Sequence, residues 1–290
     1  MTEIREKNKV DGGKLYLVAT PIGNLSDISE RALKVLSEVD FIAAEDTRNS
    51  VRLLTHFGIK KPLVAYHEHN KREKGEEICK RLLMGESCAL ITDAGTPAIS
   101  DPGEDLVRLC AEENIPVTSI PGCCAAITAL TLSALPTGRF TFEGFLSAQK
   151  KERRERLMEL SGESRTMIFH EAPHKLKATL SDMAEIFGED RKISLCRELT
   201  KLNEDVMRTT LGASVDFYSE NEPRGEYVLV VEGGMTKNSD LFWENMSICE
   251  HVEYYIDAGF DRMDAIKKAA KDRGVNKNAI YKEYVTKDDR

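Results

Sequence analysis

The chain has 290 residues, of which 41% are hydrophobic and 31% charged, and its formal net charge is −8. This composition is typical of a folded, soluble protein that is long enough for two modest domains. It argues against indiscriminate binding of nucleic acid, and no apolar run approaches the roughly 20 residues that span a bilayer.

The N-terminal segment and the cysteines bear on the cellular compartment. Residues 1–13 are polar and mixed in charge, which predicts a flexible tail and argues against a secretory signal. The seven cysteines show no Cys-x-x-Cys spacing, and the neighbours Cys123 and Cys124 are poorly placed for a disulfide. We therefore expect reduced thiols and a cytoplasmic protein.

The first half of the chain alternates between short apolar runs and amphipathic segments. Repeated strand–helix units of this kind form a mostly parallel sheet covered by helices on both faces. We predict an α/β fold with an N-terminal domain over residues 14–135 and a ligand site beyond the carboxyl ends of its strands. The strands are predicted at residues 15–19, 41–44, 63–66, 88–92 and 117–120, and the helices at 28–39, 47–57, 73–84, from Pro102 onward, and at 123–135.

Residues 136–139 interrupt this pattern with a Pro-Thr-Gly-Arg turn and mark a predicted boundary. A second α/β domain with a mixed sheet is predicted over residues 139–234. Residues 140–145 alternate in the manner of a half-buried antiparallel strand. Further strands are predicted at residues 166–169, 192–199 and 227–231, and a basic helix at 150–160.

The C-terminal region, residues 240–290, reads as helices only. Residues 263–273 and 277–285 flank a Gly-Val-Asn turn, which resembles a helix–turn–helix. We favour a docked structural appendage over contact with nucleic acid, because six acidic residues dilute nine basic ones between residues 261 and 290. The side chains expected to face inward are Ala265, Ile266, Ala269, Ala270, Ile280 and Tyr284.

Three predicted strands end in turns rich in glycine, proline and small side chains, at residues 19–24, 93–103 and 120–126. Glycine lets a backbone approach a ligand closely. The second turn has no Lys or Arg, which favours a neutral or cationic ligand over a phosphate, and Asp101 is expected to cap the helix that follows it. Each turn alone could be an ordinary connection, but three at one sheet edge predict a single crevice.

Charged residues end two other predicted strands. Glu45, Asp46 and Arg48 stand at a helix start, where they serve either as a capping group or as a base and an anion contact. Arg197 and Lys201 follow a strand of the second half. They form either a solvated strand end or a contact to phosphate.

The histidines do not indicate a metal site. His67 and His69 alternate but have no evident third ligand, so an exposed loop is the better interpretation. His170 and His174 are four residues apart, but Pro173 lies between them. Residues 168–174 are instead a fourth candidate loop at a strand end, and we expect no metal.

Seven segments taken together resemble one known family. They are residues 19–25 (ATPIGNL), 44–48 (AEDTR), 93–103, 120–122 (IPG), 171–174 (EAPH), 197–201 (RELTK) and 225–227 (GEY). They resemble the ribosomal RNA small subunit methyltransferase I family of the tetrapyrrole (corrin/porphyrin) methylase superfamily, over residues 15–233.

The resemblance implies two α/β domains that hold S-adenosylmethionine between them, usually in a homodimer. It also implies methylation of the ribose 2′-hydroxyl of a cytidine in the decoding region of 16S rRNA, within the small ribosomal subunit. The basic helix favours this over methylation of a small tetrapyrrole, because a compact pigment does not need so much positive surface. A non-catalytic RNA-binding module is the third alternative.

Site residues follow from the resemblance and from the loops. A ribose hydroxyl is a poor nucleophile, so a base would help, and Glu45 or Asp46 is the candidate. Cys123 and Cys124 stand where the family more often has Pro-Ser, which leaves contact there to backbone N–H groups. The predicted cofactor contacts are Pro21, Asp93, Gly95, Thr96, Ile99, Cys124, Ala125 and Ala172. The predicted RNA contacts are Arg48, Lys150, Lys151, Arg153, Arg154, Arg197 and Lys201.

Overall fold

The computed structural model describes residues 9–234, 243 and 246–288, with side chains through residue 284. Residues 9–234 belong to one compact unit and residues 246–288 to a second. Most of the predicted N-terminal tail, residues 1–8, lies outside the described residues, as do residues 240–242 at the start of the predicted helical region.

The first sheet contains five parallel strands in the order β3-β2-β4-β1-β5. Every strand therefore ends at the same edge of the sheet, as the alternating pattern predicted. The strands are β1 (Lys14–Val18), β2 (Phe41–Ala44), β3 (Leu63–Ala65), β4 (Ser87–Ile91) and β5 (Val117–Ile120).

Helices cover both faces of this sheet, because side chains of successive strand residues point to opposite faces. In β4, Cys88 and Leu90 belong to one buried cluster, whereas Ala89 and Ile91 belong to the other. The helices of this half are α1 (Glu30–Glu38), α2 (Thr47–His56), α3 (Lys71–Leu83), α4 (Gly103–Glu112) and α5 (Ala125–Leu132).

The second sheet is mixed, with the strand order β6-β7-β10-β8-β9. The chain therefore has the predicted α/β fold, with a parallel sheet followed by a mixed one. The strands are β6 (Phe140–Phe145), β7 (Thr166–Glu171), β8 (Lys192–Arg197), β9 (Asp205–Thr210) and β10 (Tyr227–Val231). The helices are α6 (Lys150–Leu160), α7 (Pro173–Phe187) and α8 (Leu211–Glu220).

Two details of the second sheet differ from the sequence prediction. The strand β6 pairs with β7 in parallel, so the antiparallel pairing expected for residues 140–145 is wrong. It lies at an edge of the sheet, where β7 is its one partner strand among the described residues. The other edge strand, β9, was not predicted, because it carries charged residues such as Asp205 and Arg208 among few apolar ones.

The helix α5 joins the two sheets. It follows β5 in the chain but packs on the second sheet, where Ala129 and Leu130 share a buried cluster with Ile168 and Val230. The opposite face of the second sheet is covered by α6, α7 and α8. The boundary predicted at residues 136–139 falls between α5 and β6, and the division into two domains there stays a prediction.

The C-terminal unit contains the helices α9 (Ile248–Asp257), α10 (Arg262–Asp272) and α11 (Lys277–Asp288). Its buried cluster contains all six side chains that were expected to face inward, together with Val252. All seven cysteines of the chain are free thiols. None of the helices formed by the described residues is both long enough and apolar enough to cross a membrane.

Candidate functional site

The loops that follow β1, β4 and β5 contact one another at the carboxyl edge of the first sheet. The N–H of Thr20 donates to the carbonyl of Gly95 at 2.9 Å, and the N–H of Gly95 donates back at 3.1 Å. The Thr96 hydroxyl donates to the carbonyl of Cys123 at 2.9 Å. The three turns that were predicted to share a crevice are therefore joined directly.

The β4 loop is held in an unusual backbone conformation. Gly95, Ala98 and Ser100 have φ angles of 86°, 67° and 63°, in the left-handed region. The Asp101 carboxylate fixes this turn, since it accepts hydrogen bonds from the N–H groups of Ala98 at 3.1 Å and Gly103 at 2.7 Å. The helix begins at Gly103, one residue later than predicted, because Pro102 occupies the capping position.

A cavity of about 380 Å³, here called the inter-sheet cavity, lies between these loops and the second sheet. Ala125 and Ala172, two of the predicted cofactor contacts, line it. The remaining lining residues are Ile22, Ala94, Phe145, His170, Glu171, Pro173, Cys196, Leu199, Lys201, Glu226, Tyr227 and Val228.

His170 is the distinctive polar group of the inter-sheet cavity. Its Nε2 atom is buried and has no hydrogen-bond partner among the described residues. The rings of Phe142 and Phe145 lie 5.1 and 5.4 Å from the imidazole. Burial lowers the pKa of His170, with Glu226 acting in the opposite direction, so the ring is neutral at neutral pH.

Lys201 lies in the wall of the same cavity and is held by two carboxylates. Its Nζ contacts Glu198 Oε1 and Glu226 Oε2, each at 2.9 Å. A Cβ added to Gly23 would lie 2.4 Å from Lys201 Cγ, so a glycine is required for this close approach. The positive charge of Lys201 is thus balanced within the wall.

A second cavity of about 400 Å³, here called the α2 cavity, lies on the other side of the same loops. Pro21 and Asp93, which were predicted to contact the cofactor, line this cavity, whereas their neighbours Ile22 and Ala94 line the inter-sheet cavity. The other lining residues are Thr20, Gly23, Leu25, Asn49, Ser50, Arg52, Leu53, His56 and Thr92.

Asp93 ties the β4 loop to the start of α2. Its Oδ1 accepts a hydrogen bond from the N–H of Asp46 at 3.3 Å, and its Oδ2 accepts one from Asn49 Nδ2 at 3.0 Å. Both carboxylate oxygens are therefore engaged in anchoring the loop.

The two candidate bases have different surroundings. Asp46 caps α2 and accepts hydrogen bonds from Arg48 N at 2.8 Å and Arg48 Nη2 at 2.7 Å. The side-chain hydrogen bond from Arg48 is the main reason that the pKa of Asp46 falls to about 2. A carboxylate with such a pKa is a weak base. Glu45 instead accepts a hydrogen bond from the Thr92 hydroxyl at 3.0 Å through Oε2.

The basic helix α6 contains both surface and structural cations. Lys150 and Lys151 are exposed. Arg153 is only 5% exposed and contacts Asp182 at 2.7 Å, and Arg154 contacts the same carboxylate at 3.0 Å. Arg153 is therefore a poor candidate for an RNA contact, and that prediction is corrected: its guanidinium joins α6 to α7.

Four further predicted residues, Arg48, Ile99, Cys124 and Arg197, are not among the residues that line the two cavities. Arg48 is 87% exposed beside Asp46. Ile99 is 49% exposed in the β4 loop, and Cys124 caps the start of α5. The Nε atom of Arg197, at the end of β8, is buried without a hydrogen-bond partner in the described part of the chain.

Sequence reasoning did not single out several side chains of these cavities. Phe145, Glu226 and His170 line the inter-sheet cavity, and Asn49 and Arg52 line the α2 cavity. Two of them carried a signal: His170 stands in the fourth candidate loop, and Glu226 stands in the segment 225–227 of the family resemblance. The prediction of no metal stays a prediction, although residues 9–234, 243 and 246–284 contain no group of three His, Cys, Asp or Glu side chains that could hold an ion.

Comparison with known proteins identifies close sequence relatives. The family model of Tetrapyrrole (Corrin/Porphyrin) Methylases matches residues 14–214. The chain is 50% identical over 285 residues to a ribosomal RNA small subunit methyltransferase I of Halalkalibacterium halodurans, with 98% of each chain covered. It is 47% identical over 279 residues to a protein of the same name from Bacillus subtilis, with 95% of each covered.

Solved structures share the fold at low identity. A cobalt precorrin-4 methyltransferase has a TM-score of 0.57 at 17% identity, covering 76% of this chain and 95% of that one. A uroporphyrin-III C-methyltransferase from Thermus thermophilus, complexed with S-adenyl homocysteine, has a TM-score of 0.54 at 13% identity, covering 76% and 97%.

Proposed function

The chain belongs to the tetrapyrrole (corrin/porphyrin) methylase family, and on that premise we propose that it is an rRNA methyltransferase that uses S-adenosylmethionine. We further propose that the acceptor is the ribose 2′-hydroxyl of a cytidine in the decoding region of 16S rRNA. The nearly full-length similarity to proteins named ribosomal RNA small subunit methyltransferase I supports the RNA substrate.

The observation that carries the proposal is the inter-sheet cavity at the carboxyl edge of the first sheet. Its volume of about 380 Å³ falls in the range of small-molecule sites, ~300–1,000 Å³. Phe145 and Val228 supply apolar wall, and the unpartnered His170 Nε2 supplies one polar group for a base or a sugar hydroxyl. These features fit the adenosyl group of the methyl donor.

The charges of the cavity also fit. Bound S-adenosylmethionine supplies a methyl group on a positively charged sulfur. Lys201 would repel that charge, but Glu198 and Glu226 hold its ammonium group at 2.9 Å and offset it. His170 is neutral at neutral pH because burial lowers its pKa.

The residues of the chain act mainly by positioning. The Thr20–Gly95 and Thr96–Cys123 hydrogen bonds fix the three loops relative to one another, and a fixed acceptor geometry can supply much of a transfer rate. Of the two candidate bases we keep Glu45, because Arg48 holds the pKa of Asp46 at about 2. Glu45 Oε2 accepts the Thr92 hydroxyl, which leaves Oε1 to take the proton of the acceptor.

Exposed cations would hold the RNA. Lys150 and Lys151 on α6 and Arg48 on α2 are exposed and can reach phosphates. We also propose, as the family resemblance suggests, a cytoplasmic homodimer that acts on the small ribosomal subunit.

Methylation of small ribosomal subunits that lack the modification tests the function. We expect label from methyl-labelled S-adenosylmethionine to enter the RNA, and mapping of ribose methylation to give one cytidine. Label that enters a porphyrinoid but not the subunit would instead establish the tetrapyrrole alternative. A protein that binds RNA but gives no heat with S-adenosylmethionine in calorimetry would be a non-catalytic module.

A further inference from the structure

The helix α2 carries a row of basic side chains beside the α2 cavity. Arg48, Arg52 and His56 follow one another at intervals of four residues. Residues four apart lie on the same face of a helix. Arg52 and His56 line the α2 cavity, whereas Arg48 stands one turn nearer to the start of the helix.

The charge of Arg52 is available to a ligand. Arg48 is paired with Asp46 at 2.7 Å, but Arg52 is exposed and forms no ion pair within the described residues. Among the described residues that line the cavity, Asp93 is the single carboxylate, and both of its oxygens accept hydrogen bonds from Asp46 N and Asn49 Nδ2. The cavity therefore presents a cation whose charge is not neutralised at contact.

The other walls of the α2 cavity are suited to the remaining parts of a nucleotide. Leu25 and Leu53 provide apolar surface, which suits the face of a base. The Asn49 amide donates to Asp93, which leaves its Oδ1 as an acceptor for a base or sugar group. An arginine, an imidazole, an amide oxygen and two leucines thus stand around one space.

The α2 cavity shares a wall with the inter-sheet cavity. Pro21 and Gly23 line the α2 cavity, and Ile22 between them lines the inter-sheet cavity. In the same way, Asp93 lines the α2 cavity and its neighbour Ala94 lines the inter-sheet cavity. A group bound in the α2 cavity is therefore separated from the proposed methyl-donor site by the thickness of one loop.

We propose that the α2 cavity binds one nucleotide of the substrate RNA, with Arg52 on a phosphate and with His56 and Asn49 beside the sugar or base. This inference rests on the proposed function and names a substrate site for it. It adds Arg52, His56 and Asn49 to the RNA surface that begins at Arg48.

Binding of small ribosomal subunits as a function of salt concentration tests the proposal. Each phosphate contact adds about 1 to the slope of log affinity against log salt. We expect Arg52→Gln to lower that slope by about 1 and to raise the KM for subunits about tenfold, with calorimetric affinity for S-adenosylmethionine unchanged. Arg52→Lys, which keeps the charge, should retain the slope.

Lys80→Gln is the matched control. Lys80 is exposed on α3, forms no ion pair among the described residues, and lines neither cavity. It should leave the slope and KM unchanged. If Arg52→Gln behaves like Lys80→Gln while the wild type methylates subunits, the substrate site is refuted and the function stands. If the wild type neither binds nor methylates subunits, the substrate site and the proposed function are both refuted.

Discussion

Thr20 and Gly95 exchange two backbone hydrogen bonds, of 2.9 and 3.1 Å, across the loops that follow β1 and β4. The pair holds the wall between the inter-sheet cavity and the α2 cavity. Because Gly95 has a φ of 86°, the contact depends on a backbone conformation that other residues rarely adopt.

Gly95→Ala should reduce both stability and cofactor affinity. An L-residue in the left-handed region costs about 1–2 kcal/mol, and the added Cβ would lie 3.4 Å from Ile22 Cγ2 in the cavity wall. Gly85→Ala is the control, since Gly85 has a φ of 95° and no atom within 4 Å of an added Cβ. Denaturant unfolding should show similar losses in both variants, and calorimetry a weaker affinity in Gly95→Ala alone. Equal affinities would separate this loop from the cofactor site.

Thr96→Val should loosen the contact between the β4 and β5 loops. The variant keeps the shape of the side chain but removes the donor to the Cys123 carbonyl at 2.9 Å, which costs about 1 kcal/mol of unfolding free energy. Thr96→Ser keeps the hydroxyl and should retain wild-type cofactor affinity. A Thr96→Val protein with wild-type affinity would show that this hydrogen bond does not support the site.

His170→Phe should change how cofactor binding depends on pH. Burial lowers the pKa of His170 below 6.5, so the ring gains its charge only in acid. A charged ring, which Glu226 offsets only in part, would repel the sulfonium of S-adenosylmethionine but not the neutral S-adenosylhomocysteine. In the wild type, the ratio of the Kd of S-adenosylmethionine to the Kd of S-adenosylhomocysteine should therefore rise as the pH falls from 7.5 to 5.5. The variant should give a flat ratio.

The same substitution should alter the pH dependence of stability. The unfolded chain takes up the His170 proton near pH 6.5 and the folded chain at lower pH, so unfolding becomes easier as the pH falls through this interval. His170→Phe should lose that contribution. The pKa of His251 is also lowered by burial, but His251 is present in both proteins and cancels in the comparison. Parallel stability curves would contradict the burial of His170.

Asp182→Asn should destabilise the protein without a direct effect on RNA binding. In the wild type the buried guanidinium of Arg153 lies 2.7 Å from the Asp182 carboxylate. The variant leaves this guanidinium without its counter-charge, which should lower the free energy of unfolding by about 3–5 kcal/mol. Glu185→Gln is the control, because Glu185 is 63% exposed and contacts only Arg154 among the described arginines. Its unfolding free energy should change by less than about 1 kcal/mol. Similar losses in both variants would refute the structural role of Arg153.

Removal of the two exposed lysine charges of α6 should instead weaken RNA binding and leave stability unchanged. Lys150→Gln combined with Lys151→Gln should weaken binding to small ribosomal subunits and reduce its salt dependence, with thermal unfolding unchanged. Lys151 is 87% exposed and lies 3.9 Å from Glu155, so little stability depends on it. Unaltered binding would make this helix face a merely solvated surface.

The first sheet was predictable because each of its strands is a short apolar run that ends at a turn. The predicted strand at 88–92 and the observed β4, Ser87–Ile91, differ by one residue at each end. The direction of β6 was not predictable in this way. It depends on pairing with β7, which lies more than twenty residues away in the chain.

The candidate site was predictable in position but not in detail. The sequence shows that Pro21 and Asp93 follow strands at one sheet edge, but not the direction in which each side chain points. Pro21 and Asp93 line the α2 cavity, whereas Ala125 and Ala172 line the inter-sheet cavity. The burial of Arg153 was hidden for the same reason, because its partner Asp182 stands on a different helix.

The alternation of Pro21, Ile22 and Gly23 between the two cavities has a consequence for how the protein can change. Adjacent positions in this segment line different cavities, so the position of a substitution decides which cavity it reshapes. A larger side chain at Ile22 narrows the inter-sheet cavity, and a change at Pro21 reshapes the α2 cavity. Substitutions in this segment can therefore alter the proposed methyl-donor site and the proposed nucleotide site one at a time.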